Sequence, residues 1–258
     1  MSDITHWFRI FGLDLKRFKN SAARIVPFLR DRRKFRAEAG GNFAWGRQLP
    51  ILDEWNATSG GLGAYFQQDL HVARLVKEAA PERHVDVGSR IDGFIGHLAV
   101  FRKVEVLDIR PQSVKIPNVD FHQLDLMEEL PPEWLECTDS LSCLHTIEHF
   151  GMGRYGDPID GQGHLKGLGQ LKRMVARSGT IYLSTPMGSQ RIEFNAHRIF
   201  SAETCLKWFE IGWEIISFSY IDDDGTLHEA VDWAKPERAG NFGCETGLAI
   251  IVARKLEA

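Results

Sequence analysis

A chain of 258 residues, 43% hydrophobic and 26% charged, can bury one large core, with or without an appendage. It holds no apolar run long enough to span a bilayer, and Met1–Ile10 lacks the apolar stretch of a secretory signal, so a cytoplasmic location is expected. The net charge of −4 conceals an asymmetry: Lys16–Arg36 carries nine basic residues against the single acid Asp31, a local +8 that leaves −12 for the remainder.

That basic segment interleaves its cations with Phe18, Ile25, Val26, Phe28 and Leu29, the texture of an amphipathic helix, with Pro27 as a break or a helix start. Such a segment suits peripheral contact with an anionic membrane or with a biosynthetic partner. A solvated helical extension docked on the following domain is the plainer reading and the preferred one. Nucleic acid is not an expected partner, because the rest of the chain is acidic. Residues 37–64 are rich in glycine and small polar residues and read as a connection. The chain therefore divides into a basic helical extension with its connection (1–60) and a main domain (61–258). Cys137, Cys143, Cys205 and Cys244 form no C-x-x-C pair and read as buried thiols of a reducing compartment.

A helix is expected from about Tyr65 to Ala80, ending before Pro81. Beyond it, short strands and helices alternate. Strands are predicted at His84–Val87, Val104–Leu107, Val119–His122, Ser140–Leu144, Thr180–Ser184, Trp213–Tyr220 and Leu248–Ala253. Helices are predicted around Gly93–Phe101, Leu165–Ala176 and Ala202–Ile211, the last with Ser201 as its N-cap. This alternation predicts an α/β fold: a Rossmann-like, mainly parallel seven-stranded sheet flanked by helices.

In such sheets ligands bind beyond the carboxyl ends of the strands. The first strand runs into "HVDVGSRIDGF", with Asp86, Gly88, Ser89, Arg90, Asp92 and Gly93 in and around its turn. Gly88 permits a sharp turn, and the helix start at Gly93 offers free N–H groups. The second strand ends at Asp108 and Ile109, where a ribose would be held by its hydroxyls. The third is followed by Asp125 and Leu126, suited to an adenine amino group. Each acid alone has an ordinary role as a turn residue or helix cap; three at successive strand ends point to a nucleoside site. A dinucleotide turn needs small residues beside its pyrophosphate, whereas this one has Arg90 and Asp92 in place of the second and third glycines. S-adenosylmethionine, a nucleoside with a cationic amino-acid tail, suits that turn better, with Asp86 or Asp92 facing the cationic end.

The ordered segments "HVDVGSRIDGF", "VEVLDIRP", "LDL", "SLSCLHTIEH" and "GTIYLSTP" resemble the motifs of class I S-adenosylmethionine-dependent methyltransferases. More closely, "YFQQDL", "CLHTIEHFGMGRYGDPID" and "FNAHRIF" are similar to a methyltransferase-like family of unknown function first catalogued from nematodes. Its bacterial members often accompany polysaccharide-biosynthesis enzymes. The resemblance covers about residues 60–254. It implies methyl transfer from S-adenosylmethionine and a glycan or small-molecule acceptor, and it puts the segment after strand four beside the sulfonium and the acceptor.

That segment, "LHTIEHFGMGRYGDPIDGQGH", contains both an H-x-x-E-H pattern and a literal G-x-G-x-x-G. A zinc protease needs its histidines on one face of an uninterrupted helix, but here a strand ends at His145 and Gly151 follows soon after. The glycine pattern runs into Asp157-Pro158 rather than into a helix, so it is a chance match in a loop. His145 or His149 can take a proton from an attacking hydroxyl, with Glu148 orienting the imidazole. In the plainer alternative, Glu148 and His149 only cap a helix or hold the loop. In a third, His145, Glu148, His149 and His164 or His197 hold a divalent ion that activates a vicinal diol. Tyr155, Asp157, His164, Arg191, Asn195 and His197 supply polar groups for a hydroxylated substrate. The expected activity is O-methylation of a sugar or polysaccharide precursor. A nicotinamide-dependent oxidoreductase and a non-catalytic cofactor-binding scaffold stand as alternatives.

Overall fold

The strands form where Val, Leu and Ile run together or alternate. Parallel strands covered on both faces read as near-continuous apolar runs, and every residue of β1 (His84–Val87) is buried. The computed structural model describes residues 3–38, 44–54 and 63–257. The chain divides into two units, Met1–Gly61 and Leu62–Ala258.

In the first unit, α1 (Asp3–Ile10) gives way at Gly12, whose φ of +78° permits the turn, to α2 (Leu15–Glu38). Asp14 caps α2 by accepting the Arg17 N–H at 2.9 Å. Helix α2 continues through Pro27 rather than breaking there. The ring removes the partner of the Ala23 carbonyl, and on a helix with no buried residue that carbonyl is open to solvent. Residues 44–54 are irregular; 39–43 and 55–62 of the expected connection lie outside the described residues.

In the second unit, α3 (Ala64–Ala79) precedes β1, β2 (Val104–Asp108), β3 (Val119–Gln123), β4 (Thr138–Leu144) and β5 (Val175–Met187). A wide π-type turn at Ile91–Ile95 leads into the short α4 (Gly96–Ala99) after β1, and α5 (Gly163–Met174) precedes β5. Then come β6 (Arg191–Glu193), β7 (His197–Ile199), α6 (Ala202–Lys207), β8 (Trp213–Ile221), β9 (Leu227–His228) and β10 (Gly247–Lys255). Ser201 caps α6, accepting the Thr204 N–H at 3.1 Å.

The main sheet has the order β3-β2-β1-β4-β5-β10-β8-β9. Strands β1 to β5 are mutually parallel, whereas β10 lies antiparallel between β5 and β8. It therefore has eight strands rather than seven. The extra one, β9, is two residues long and follows the turn in which Asp222 Oδ1 accepts from Asp224 N and Thr226 N. One apolar cluster, with Leu141, Leu171 and Phe218, covers one face; another, with Val72, Phe94 and Leu98, covers the other. All four cysteines are free. Among the described residues no helix is long and apolar enough to cross a membrane. The chain leaves β1 towards β2 and β3, then returns to place β4 on the other side of β1. That reversal opens a crevice at the carboxyl ends of β1 and β4.

Candidate active site

A cavity of about 490 Å³ lies in this crevice. It brings together Gly88, Arg90, Asp108, Ile109, Asp125 and Leu126 with His145, His149, Tyr155, Asp157 and His197. It does not bring in Asp86, Ser89, Asp92, Gly93, Glu148, His164, Arg191 or Asn195.

The turn after β1 explains several of these absences. Asp86 is fully buried, and its carboxyl accepts from Ser89 N at 3.0 Å, Ser89 Oγ at 2.6 Å and Ser142 Oγ at 2.5 Å. It braces the turn and cannot face a ligand. Burial pushes it up to about 7 against the pull of those hydroxyls. Ser142 also lies 3.0 Å from Nε2 of buried His84, whose imidazole burial pushes down to about 3. Ser89 Oγ additionally accepts Leu144 N at 3.1 Å, tying the turn to β4. Asp92 is exposed and takes a two-pronged contact from Arg90 at 3.1 and 2.9 Å. Both glycines make room for protein rather than ligand. A Cβ on Gly88, at φ +70°, would sit 2.3 Å from the Thr146 methyl, and one on Gly93 would sit 2.4 Å from Asp69 Oδ2.

The acid that does reach the cavity from this side is Asp69, on α3 beside Tyr65 and Gln68. Gln68 Nε2 donates to Asp69 Oδ1 at 2.9 Å, and Ser184 Oγ donates to Gln68 Oε1 at 2.5 Å. Burial raises the Asp69 carboxyl above its ordinary range. The signal was present in the sequence. Tyr65, Gln68 and Asp69 continue, at helical spacing, the buried stripe Val72, Ala73 and Val76. A stripe that turns polar over its first turn has left the core for a site.

At the end of β2, Asp108 Oδ1 accepts from Arg110 N and Nε at 2.8 and 2.9 Å, and Oδ2 accepts from Nη2 at 2.6 Å. The Arg110 guanidinium lies 4.5 Å from the centre of the Tyr155 ring. After β3, Asp125 Oδ1 accepts Met127 N at 2.8 Å.

At the end of β4, His145 adopts a left-handed backbone, φ +54°, held by its N–H on Ser184 O at 3.0 Å and Oγ at 3.1 Å. Its Nδ1 lies 2.6 Å from Glu148 Oε1 and 3.2 Å from the Tyr65 hydroxyl. Glu148 sits beneath it in the short helical turn Ile147–His149, with no exposed surface. Burial alone pushes the Glu148 carboxyl up, but His145 and then His149 outweigh it and hold it below the usual range. His149 donates from Nδ1 to Ala196 O at 2.7 Å, with Nε2 3.8 Å from Glu148 Oε1. Burial lowers its imidazole in spite of that carboxylate.

Arg198 anchors the loop that follows. Buried, it donates to the carbonyls of Glu148, Phe150, Asp160 and Gly161 at 2.7–3.4 Å and does not pair with Glu193. Asp157 shapes the same loop by accepting Gly153 N and Tyr155 N, each at 3.1 Å. His164 lies outside the cavity against Phe200, ring centres 5.6 Å apart, and burial pushes its imidazole down to about 4. Arg191 is tied to Glu193, Ser189 O and Glu245 O, and Asn195 stands exposed between β6 and β7. Among the described residues no three His, Cys, Asp or Glu side chains converge to hold a metal ion. His197 lies 6.4 Å from His149 between ring centres and contacts Glu193 at 3.3 Å.

Residues 102–243 match the family described as "Caenorhabditis protein of unknown function, DUF268". The chain belongs to this family. No curated protein matches it. Among solved structures it is similar to the N-methyltransferase NodS from Bradyrhizobium japonicum WM9, in complex with S-adenosyl-L-homocysteine. The TM-score is 0.51 at 12% identity, over 79% of this chain and 92% of that one. The [4+2]-cyclase SpnF is similar with a TM-score of 0.50 at 15% identity, over 78% of this chain and 86% of that one. The α/β fold, with its mostly parallel central sheet flanked by helices, is thus that of Rossmann-like methyltransferases. Because a cyclase shares it, the reaction has to be argued from the site.

Proposed function

We propose that this chain is an S-adenosylmethionine-dependent O-methyltransferase acting on a sugar or polysaccharide precursor. The observation that carries the reading is the His145–Glu148 pair, 2.6 Å apart, at the rim of a strand-end cavity that Asp69, Asp108 and Asp125 also line. The cavity suits a nucleoside with a cationic tail. Asp69 supplies a carboxylate for an ammonium group, the part expected of Asp86 or Asp92, while Arg90 is paired with Asp92. Asp108 Oδ2 accepts one bond from Arg110 and keeps a lone pair for a ribose hydroxyl. Asp125 keeps its second oxygen for an adenine amino group. Arg90 beside the turn also argues against a pyrophosphate, which needs small residues there.

When bound, S-adenosylmethionine supplies an electrophilic methyl group on a sulfonium. The chain's own part is to position the acceptor and take its proton. With Nδ1 against Glu148, Nε2 of His145 is the nitrogen left to accept the hydroxyl proton, and the Glu148 carboxylate stabilises the imidazolium that forms. Tyr155, Asp157 and His197 give the acceptor side a polar wall with an aromatic face, which favours a hydroxylated substrate. Calorimetric titration of the chain with S-adenosylmethionine, S-adenosylhomocysteine and NAD tests the cofactor. Binding of the first two without the third is expected; binding of NAD alone overturns the reading. Sugar nucleotides and glycan fragments can then be screened for release of S-adenosylhomocysteine, and turnover that survives a chelator separates the histidine route from a metal-held diol.

A further inference from the structure

We infer that the N-terminal helices form a docking surface for an anionic phospholipid bilayer; the inference is independent of methyl transfer. On α2, Leu15, Phe18, Ala22, Ile25 and Leu29 recur at alternating three- and four-residue steps, which lines them along one face. None of these side chains is buried, and Phe18 is 74% exposed. Ahead of the stripe, Trp7 and Phe11 are exposed as well, by 61% and 75%. An apolar stripe of this length left open to water calls for a cover.

Charge decides which cover. The stripe stops at Leu29, and the next seven residues hold Arg30, Arg32, Arg33, Lys34 and Arg36 against Asp31 alone, which already contacts Arg30 at 3.0 Å. A groove on a protein partner needs to match only the apolar face. A bilayer with anionic headgroups offers hydrocarbon to the stripe and phosphate to the cations around it. It thereby meets the requirement of two signals for stable attachment, apolar insertion plus a basic patch.

The full chain is tested by flotation with vesicles of mixed phosphatidylglycerol and phosphatidylcholine. Expected are binding at low salt, at least a tenfold fall between about 0.05 and about 0.5 M salt, and no binding to phosphatidylcholine alone. Arg33→Gln with Lys34→Gln lowers the partition coefficient about 30-fold, at about fivefold per cation near a charged surface. Trp7→Ala with Phe11→Ala lowers it at least about tenfold through lost apolar contact. Both pairs are exposed, and unchanged circular dichroism shows that the fold survives. Absence of flotation at low salt overturns the inference, as does flotation unaffected by either pair. Sedimentation velocity covers the remaining occupant: a dimer lost in the Trp7/Phe11 variant, without flotation, assigns the face to a second copy and also overturns it.

Discussion

Two carboxyl groups lie behind the wall of the crevice, both without exposed surface, and their environments drive them in opposite directions. Asp86, in β1, is surrounded by Ser89 and Ser142, and burial pushes it up to about 7. Glu148, after β4, faces two imidazoles that overcome its burial and hold it down. Neutral hydroxyls satisfy lone pairs but return little of the lost hydration energy of a charge, whereas histidines can return it by carrying charge themselves. A carboxyl of the first kind braces a turn. One of the second kind holds an imidazole in place, and here that imidazole looks into the cavity.

The sharpest way to break this contrast is to remove the imidazole. His145→Ala is expected to cut turnover by about 10²–10⁴-fold, the usual worth of a general base, while S-adenosylmethionine affinity stays within about twofold. In the proposed arrangement the nucleoside lies against other elements, so the defect belongs in the rate. Product S-adenosylhomocysteine and calorimetry measure the two halves. Full turnover would return Glu148 to the same bracing role as Asp86.

The next largest effect concerns Asp69, the acid that lines the cavity where Asp86 does not. Asp69→Asn should weaken S-adenosylmethionine about 10- to 100-fold, the scale of a hydrogen bond to a charged group, yet leave methylthioadenosine, which lacks the ammonium, unchanged. Equal losses for both ligands would mean that Asp69 serves the fold. This residue also marks the limit of reading the sequence. Strand ends are legible because an apolar run has a definite end, so Asp108, Asp125 and His145 could be placed at the crevice. Asp69 lies on a helix upstream, and only its continuity with the buried stripe Val72–Val76 betrays it. Asp86 and Glu148 are both acids near strand ends, and their inward direction depends on partners far along the chain. His164, Arg191 and Asn195 belong to a concentration of polar groups in the sequence. Loop side chains follow no period, however, and only tertiary folding decides which of them face the cavity.

The pH dependence of stability sharpens the contrast from the Asp86 side. In the folded chain Asp86 titrates near 7, above its ordinary 3.8, so between about pH 4 and 7 the folded state keeps a proton that the unfolded state has lost. Its contribution is therefore fully present below about pH 4 and is lost as pH rises through 7. His84 acts oppositely: held near 3 instead of 6.5, it costs stability as pH falls through that range. Comparing the chain with Asp86→Asn at each pH cancels the His84 contribution. The variant should gain on the parent by roughly 1 kcal/mol per pH unit between about pH 4 and 7, then level off. Urea unfolding at a series of pH values measures this. A constant difference would mean that Asp86 is ionised throughout, like Glu148.

The smallest effect separates the His145 backbone from its side chain. A φ of +54° costs a residue with a Cβ about 1 kcal/mol, a strain that Ser184 holds in place through the His145 N–H. His145→Ala and His145→Gly both remove the imidazole and leave the buried Glu148 carboxylate without its nearest partner, so that loss is common to the pair. They differ in whether a Cβ must occupy the left-handed conformation. The glycine variant should therefore be the more stable by about 1 kcal/mol in chemical denaturation, although both lose the imidazole. If the two unfold alike, the backbone at the end of β4 stores no strain. The geometry of the base would then rest on its side-chain partners Glu148 and Tyr65, and Glu148→Gln should be nearly as damaging to turnover as the loss of the imidazole.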